Sequence, residues 1–167
     1  MKTCEAILSL GSNQGDRLLW LKRAGLELLA LPDTRCVAFS PVYETEPVGV
    51  PDGYASHLFL NCVVIVETGL APDAFSAAVH VIEDRLGRTR GGTPNLPRTI
   101  DIDIITFGGL SVASPAFTLP HPRARERRFV LQPLADLRPG FVFPGDTPSV
   151  SDLLRALPPE PRVTRID

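Results

Sequence analysis

Asp101 and Asp103 are the residues whose type and spacing most directly imply chemistry. They lie in Arg98-Thr99-Ile100-Asp101-Ile102-Asp103-Ile104-Ile105, a β-branched run that reads as a strand. Side chains alternate faces along a strand, so Ile100, Ile102 and Ile104 point into the core and both aspartates share the other face. Aspartate is depleted in strands, and like charges on one face repel. Something cationic should offset that repulsion. Carboxylates about 7 Å apart can cradle a hard divalent cation, above all Mg²⁺ shared with substrate phosphates. The plain alternative is a wet strand face that happens to bear two Asp.

Arginine bears on that choice. Arg85, Arg88, Arg90 and Arg98 fall in one short window, and Arg123, Arg125, Arg127 and Arg128 in another. The guanidinium fork matches phosphate oxygens in pairs. In a chain of net charge −2, two dense arginine clusters indicate a local anion site or two solvated loops, not a broad basic face. Next to the paired aspartates, the anion site is favoured.

Three weaker signals follow. Gly11-Ser12-Asn13-Gln14-Gly15-Asp16 stands between a predicted strand and a predicted helix. It could cradle phosphate with backbone N–H groups, but matches no known phosphate-loop pattern and reads equally as a polar turn. His121 is held between Pro120 and Pro122, just ahead of the second arginine cluster and Phe129. Phe59 and Asn61 are spaced to share a strand face. Asn in an apolar strand needs partners, and could read the edge of a flat heterocycle stacked on Phe59. A core Phe and a backbone-bonded Asn would serve as well.

The elements that must position these residues are legible in outline. Glu5 to Leu10 reads as a strand, Asp16 to Leu31 as a helix stopped at Pro32, and Cys36 to Tyr43 as a second strand. Glu46 to Gly53 is a loop. Phe59 to Glu67 is nearly all apolar, as in a strand buried on both faces. Ala71 to Leu86 is the clearest helix, with Pro72 and Asp73 in its first turn and Gly87 as its stop. A Gly/Pro/Asn loop over Thr89 to Pro97 leads to a strand over Thr99 to Phe107. A hairpin over Ser111 to Leu119, a short helix near Arg125 to Ala135, and another around Leu153, Leu154 and Leu157 follow. From Pro158 the tail is expected to be loosely held. The fold class is α+β: a ferredoxin-like βαββαβ core with a C-terminal hairpin and short-helix extension. One sheet face takes the helices, and the other must be covered or carry a site.

Composition narrows the classes. With 167 residues, 44% hydrophobic and 22% charged, one globular domain over 1–167 is expected. No run reaches the length of a membrane helix and no signal-peptide pattern opens the chain, so a cytoplasmic location is expected. Cys4, Cys36 and Cys62 are odd in number and lack zinc-site spacing.

Together these segments closely resemble the 6-hydroxymethyl-7,8-dihydropterin pyrophosphokinase family. The resemblance rests on Leu8-Ser9-Leu10-Gly11-Ser12-Asn13, Ser40-Pro41-Val42-Tyr43-Glu44-Thr45-Glu46-Pro47-Val48-Gly49, and Phe59-Leu60-Asn61. It continues through Ile82-Glu83, Leu86-Gly87-Arg88, Pro97-Arg98-Thr99-Ile100-Asp101-Ile102-Asp103, Pro120-His121-Pro122-Arg123 and Glu126-Arg127-Arg128-Phe129. It implies pyrophosphoryl transfer from ATP to the hydroxymethyl oxygen of a reduced pterin, with AMP released. Asp101 and Asp103 would hold two Mg²⁺ ions, with Arg88 and Arg98 as further catalytic groups. Thr45, Val48, Phe59, Asn61 and Phe129 would bind the pterin. Glu83, Arg90, Ile104, Thr118, His121 and Arg127 would line the ATP side. Asp103 could accept the hydroxyl proton, although a metal-lowered pKa would leave little need for a dedicated base.

The resemblance further implies a monomer, with no nucleic acid or membrane partner. Asn95-Leu96 stands where members often carry Trp-Gly, His80 where many have Gln, and Ala116 where some have a basic residue; changed affinities, not a different reaction, are expected. Two rival classes remain. A Mg²⁺-dependent nucleotidyltransferase would release pyrophosphate instead of AMP and leaves the Phe59/Asn61/Phe129 pocket unexplained. A ferredoxin-like RNA-binding module would need a basic chain and a sheet face free of aspartate.

Overall fold

The computed structural model describes residues 2–166, a mixed α/β fold with one six-stranded antiparallel sheet and four helices. Strand β1 (Cys4–Ser12) lies between β4 (Phe59–Thr68) and β5 (Asp101–Phe107). Both β2 (Thr34–Phe39) and β3 (Val42–Thr45) pair with β4, on successive stretches of it. A separate hairpin joins β6 (Val112–Ala113) to β7 (Thr118–Leu119). Among the described residues no helix is long and apolar enough to cross a membrane.

Helix α1 (Arg17–Leu29) starts at Asp16, whose carboxylate accepts from the Leu19 N–H at 3.0 Å, satisfying one of the free donors of the first turn. Helix α2 (Pro72–Arg85) opens on Pro72 and Asp73, as its sequence predicts. Both helices lie on the same face of the sheet. Leu21, Leu28, Phe75, Val79 and Ile82 close over Leu8, Leu10, Leu60, Val64 and Ile102. The other face is only half covered. There α3 (Arg128–Leu137) and α4 (Val150–Ala156) bury Val130, Leu131, Leu134 and Val150 against Ile7, Val63, Ile65 and Ile105. Phe59 to Glu67 therefore reads as a doubly buried strand because two separate cores use its two faces.

A bulge sets that division. Ile7 faces Thr106 and Leu8 faces Ile104, leaving Ile105 as an extra residue in β5. The bulge resets the alternation, so Ile105 and Phe107 serve opposite cores.

Three expectations change. The strand foreseen over Cys36 to Tyr43 is broken into β2 and β3 at Ser40-Pro41. Here the Ser40 hydroxyl accepts the Val63 N–H at 2.8 Å, taking the place of a strand carbonyl. The helix foreseen from Arg125 begins at Arg128, because a single 3-10 turn over Ala124–Glu126 ends in extended backbone at Arg127. The tail expected to be loosely held instead forms β8 (Val163–Ile166), paired with β3 from Val42↔Ile166 to Thr45↔Val163. The edge of β3 presents unpaired backbone groups, and β8 satisfies them.

Candidate active site

The half of the sheet that α3 and α4 leave open carries the chemistry. Gly11 on β1 is directly opposite Asn61 on β4 and Asp101 on β5, and Ser9 is opposite Asp103. The residue between the two functional strands is thus the one with no side chain. A Cβ at Gly11 would stand 2.7 Å from Asn61 Oδ1 and 3.5 Å from the Phe59 ring. Strands lie about 4.8 Å apart, so Asn61 and Asp101 are about 10 Å apart across a flat floor.

On the β4 side, the Asn61 amide donates to Thr45 Oγ1 at 2.7 Å, and both residues are buried. That pairing answers the need of an Asn in an apolar strand and leaves its carbonyl oxygen toward Gly11. Phe59 and Phe129 line the same cleft, as does Val48. Each ring carries an arginine, Arg98 at 5.3 Å from the Phe59 centroid and Arg127 at 5.5 Å from that of Phe129.

On the β5 side, Asp101 is held from two directions. Arg88 donates to Oδ1 at 2.6 Å and Arg98 to Oδ2 at 3.1 Å. Asp103 faces Arg127 at 3.4 Å and His121 Nε2 at 3.8 Å. Burial, with the Asp101 charge next in weight, pushes the Asp103 carboxyl up to about 6 against the pull of Arg127. Burial and the Arg127 charge hold His121 below its ordinary pKa. Its Nδ1 accepts the Arg123 N–H at 3.2 Å, so the neutral ring carries its proton on Nε2, toward Asp103.

Glu83 organises the arginines from behind. It is buried in α2, accepts the Ile102 N–H at 2.7 Å, and binds both Arg88 and Arg90. The turn after β1 acts as a brace. The Asn13 side-chain oxygen accepts the Arg98 N–H at 2.8 Å, and the Asn13 N–H donates to the Arg98 carbonyl at 3.2 Å. The Asn13 N–H is thereby committed to the chain, which favours the polar-turn reading of this segment over a phosphate cradle.

These groups surround a cleft of about 640 Å³, a volume ordinary for a small-molecule site. Arg88, Arg98, Asp101, Asp103, His121 and Arg127 line it, with Thr45, Val48, Phe59, Asn61 and Phe129. Four residues foreseen for the site do not. Glu83 is spent inside the fold, and Arg90 is drawn to Glu83 and Asp84. Ile104 turns to the helix-covered face, and Thr118 is exposed on the β6–β7 hairpin. Of the departures noted above, Asn95 lines the cleft and donates to the Gly49 carbonyl at 2.9 Å, tying the two loops together. His80 lies beside Glu83, and Ala116 is exposed in the hairpin turn.

Sequence reasoning missed Glu46, Glu126 and Arg128 as cleft residues, and the whole wall of Leu157, Pro158, Glu160 and Pro161. No local pattern marks that wall. It reaches the site because the chain turns back after α4 to make β8.

Comparison with known proteins decides the family. A model described as 7,8-dihydro-6-hydroxymethylpterin-pyrophosphokinase (HPPK) matches residues 7–139. This chain belongs to the HPPK family. It is 41% identical over 154 residues to the 2-amino-4-hydroxy-6-hydroxymethyldihydropteridine pyrophosphokinase of Methylorubrum extorquens, covering 92% of this chain and 94% of the relative. The enzyme of the same name from Pseudomonas aeruginosa is 38% identical over 151 residues, covering 90% of each. The fold is similar to that of Plasmodium falciparum HPPK-DHPS (TM-score 0.74, 16% identity), with 92% of this chain matching 45% of that longer one. The match to the HPPK family model spans β1 through α3, and with them the aspartate strand, the arginine loop and both phenylalanines.

Proposed function

We infer that this chain transfers the pyrophosphoryl group of ATP to the hydroxymethyl oxygen of 6-hydroxymethyl-7,8-dihydropterin, releasing AMP, as a step of folate biosynthesis. One observation carries the reading. A single sheet face presents a carboxylate–arginine strand and an Asn–aromatic strand, separated only by Gly11.

The chain's own groups divide the work. Asn61 and Thr45 hydrogen-bond the pterin edge while Phe59 and Phe129 take its faces, helped by Val48. A ring so held points its hydroxymethyl group across Gly11 toward β5. Arg88, Arg98, Arg127 and His121 take phosphate oxygens. The arginines now on Asp101 and on the two rings are the forks that turn to the triphosphate. Glu83 and Arg90 hold that set in place from behind, and Ile104 and Thr118 flank the ATP side. Positioning and charge stabilisation of this kind require no nucleophilic Ser or Cys. Asn95 and Gly49 bring the loops over 46–53 and 89–97 together, which excludes water that would otherwise hydrolyse ATP.

The donor set fits Mg²⁺. Among the described residues no group of three or more His, Cys, Asp and Glu is placed to hold a metal ion, so the protein offers the aspartate pair and phosphate oxygens must complete the coordination, as Mg²⁺ prefers. Asp101 and Asp103 would hold two ions, whose chemistry is to neutralise developing charge and orient the attacking oxygen. Unneutralised repulsion within the pair, visible in the raised Asp103 pKa, is what such a cation would relieve.

The strand order β5-β1-β4 followed by β2 and β3 supports reading the core as ferredoxin-like. Cleft residues run from Ser9 to Pro161, which supports one domain over 1–167. We propose that it works as a cytoplasmic monomer without a nucleic-acid or membrane partner.

The test is a product assay with ATP, Mg²⁺ and the pterin. AMP formed one-for-one with a pterin bearing two added phosphates is expected. ADP, or pyrophosphate with a nucleotidylated product, would overturn the assignment.

A further inference from the structure

The segment after α4 is built into the cleft rather than trailing from it. Arg128, the first residue of α3, grips it. Its Nη2 donates to the Leu157 carbonyl at 2.9 Å and to the Pro158 carbonyl at 2.8 Å, and its Nε donates to Pro158 at 3.1 Å. A weaker contact reaches the Leu154 carbonyl at 3.4 Å. Leu154 and Leu157 belong to the end of α4, where carbonyls lack helical partners and a cation is favoured. Beyond the grip, Leu157, Pro158, Glu160 and Pro161 line the cleft, and Val163 pairs with Thr45 on β3. The segment is thus tied at both ends, by a guanidinium at one and a strand ladder at the other.

Those ties locate its effect. Arg128 adjoins Phe129, and Val163 is opposite Thr45; both neighbours lie on the ring-binding side. The aspartates are on β5, beyond β4 and β1. Arg128 is the only residue of the second arginine cluster that donates to backbone carbonyls of this segment among the bonds described. Its neighbour Arg127 faces Asp103 instead. Adjacent arginines therefore serve opposite ends of one cleft.

We propose that Arg128 is a positioning residue that fixes Leu157–Pro161 as a wall of the pterin pocket, and that this wall sets affinity for the pterin and not for ATP. The proposal rests on the activity inferred above. A planar fork is needed to reach two successive carbonyls at once, so lysine should replace it only in part.

The experiment compares steady-state kinetics of the full chain with Arg128→Ala, Arg128→Lys and Pro158→Gly. Pro158 is exposed, so Pro158→Gly loosens the wall without opening the core. Losing hydrogen bonds from a charged donor should raise the pterin KM about tenfold in Arg128→Ala, with the ATP KM and kcat within about twofold. Arg128→Lys should fall between Arg128→Ala and the parent, and Pro158→Gly should raise the pterin KM with a small change in Tm. A purely structural role would lower Tm and leave both KM values of the folded fraction unchanged; that result, or an equal rise in both KM values, overturns the proposal. The parent chain separates the two readings. AMP formation by the parent with unchanged KM values in the variants removes the wall's role alone. A parent that makes no AMP overturns the activity and the wall's role with it.

Discussion

Replacing Asp103 by Asn should stabilise the protein while disabling it. The carboxyl of Asp103 rises from 3.8 to about 6, first through burial and then through Asp101. The folded chain thus binds this proton more tightly than the unfolded chain does. Between those two pH values the folded state carries more protons, so stability falls as pH rises through that window, and the deficit is constant above it. Two units and a little more correspond to roughly 3 kcal/mol. The side chain is 30% exposed, and solvent screening brings the figure to about 1.5 kcal/mol. For a chain of this length that amounts to about 3–6 °C in Tm. The assay is thermal denaturation of parent and Asp103→Asn at pH 7 and pH 4.5, without nucleotide or Mg²⁺. The variant should melt higher at pH 7, and the gap should shrink by more than half at pH 4.5. AMP formation should collapse in the same variant. A variant that melts no higher at pH 7, or a gap that does not narrow in acid, would refute the reasoning. The gain is the usual cost of a site that holds like charges together for its substrate.

Two further outcomes probe the supports of the site. Glu83→Ala leaves the buried Ile102 N–H without its acceptor and frees Arg88 and Arg90. It should cost about 1–3 kcal/mol in urea denaturation and lower kcat although Glu83 does not line the cleft; full activity in the folded variant would contradict the brace. Gly11→Ala places a Cβ 2.7 Å from Asn61 Oδ1, so the amide must move. Pterin affinity, read by fluorescence titration, should fall by about tenfold or more if one well-placed polar contact is lost. Nucleotide affinity should hold, and equal losses for both ligands would show that Gly11 is not the floor between them.

Much of the site was legible because it is written in local patterns. Alternation in a strand is enough to put Asp101 and Asp103 on one face, and the same rule joins Phe59 to Asn61. The arginine windows declared an anion site from side-chain chemistry alone. Glu83 was placed with the ligand-lining groups, yet it sits behind them, since spacing along α2 reveals that a carboxylate faces β5 but not whether a ligand or a backbone N–H meets it there. Ile104 was misplaced for a related reason: strand alternation sends it to the helix-covered face, opposite Asp103.

The sequence by itself determined which groups could do the chemistry, the helix starts at Asp16 and Pro72, and the strand faces, because each depends on residues within one turn or one pleat. Only the tertiary structure decided what meets what. Gly11 became the floor when β4 and β5 took registers on either side of β1, and the break at Ser40-Pro41 awaited the Val63 N–H. The return of the tail to β3 and its capture by Arg128 depend on contacts about thirty or more residues distant. Such pairings are settled by burial and hydrogen-bond satisfaction over the whole fold, and no short stretch of chain encodes them.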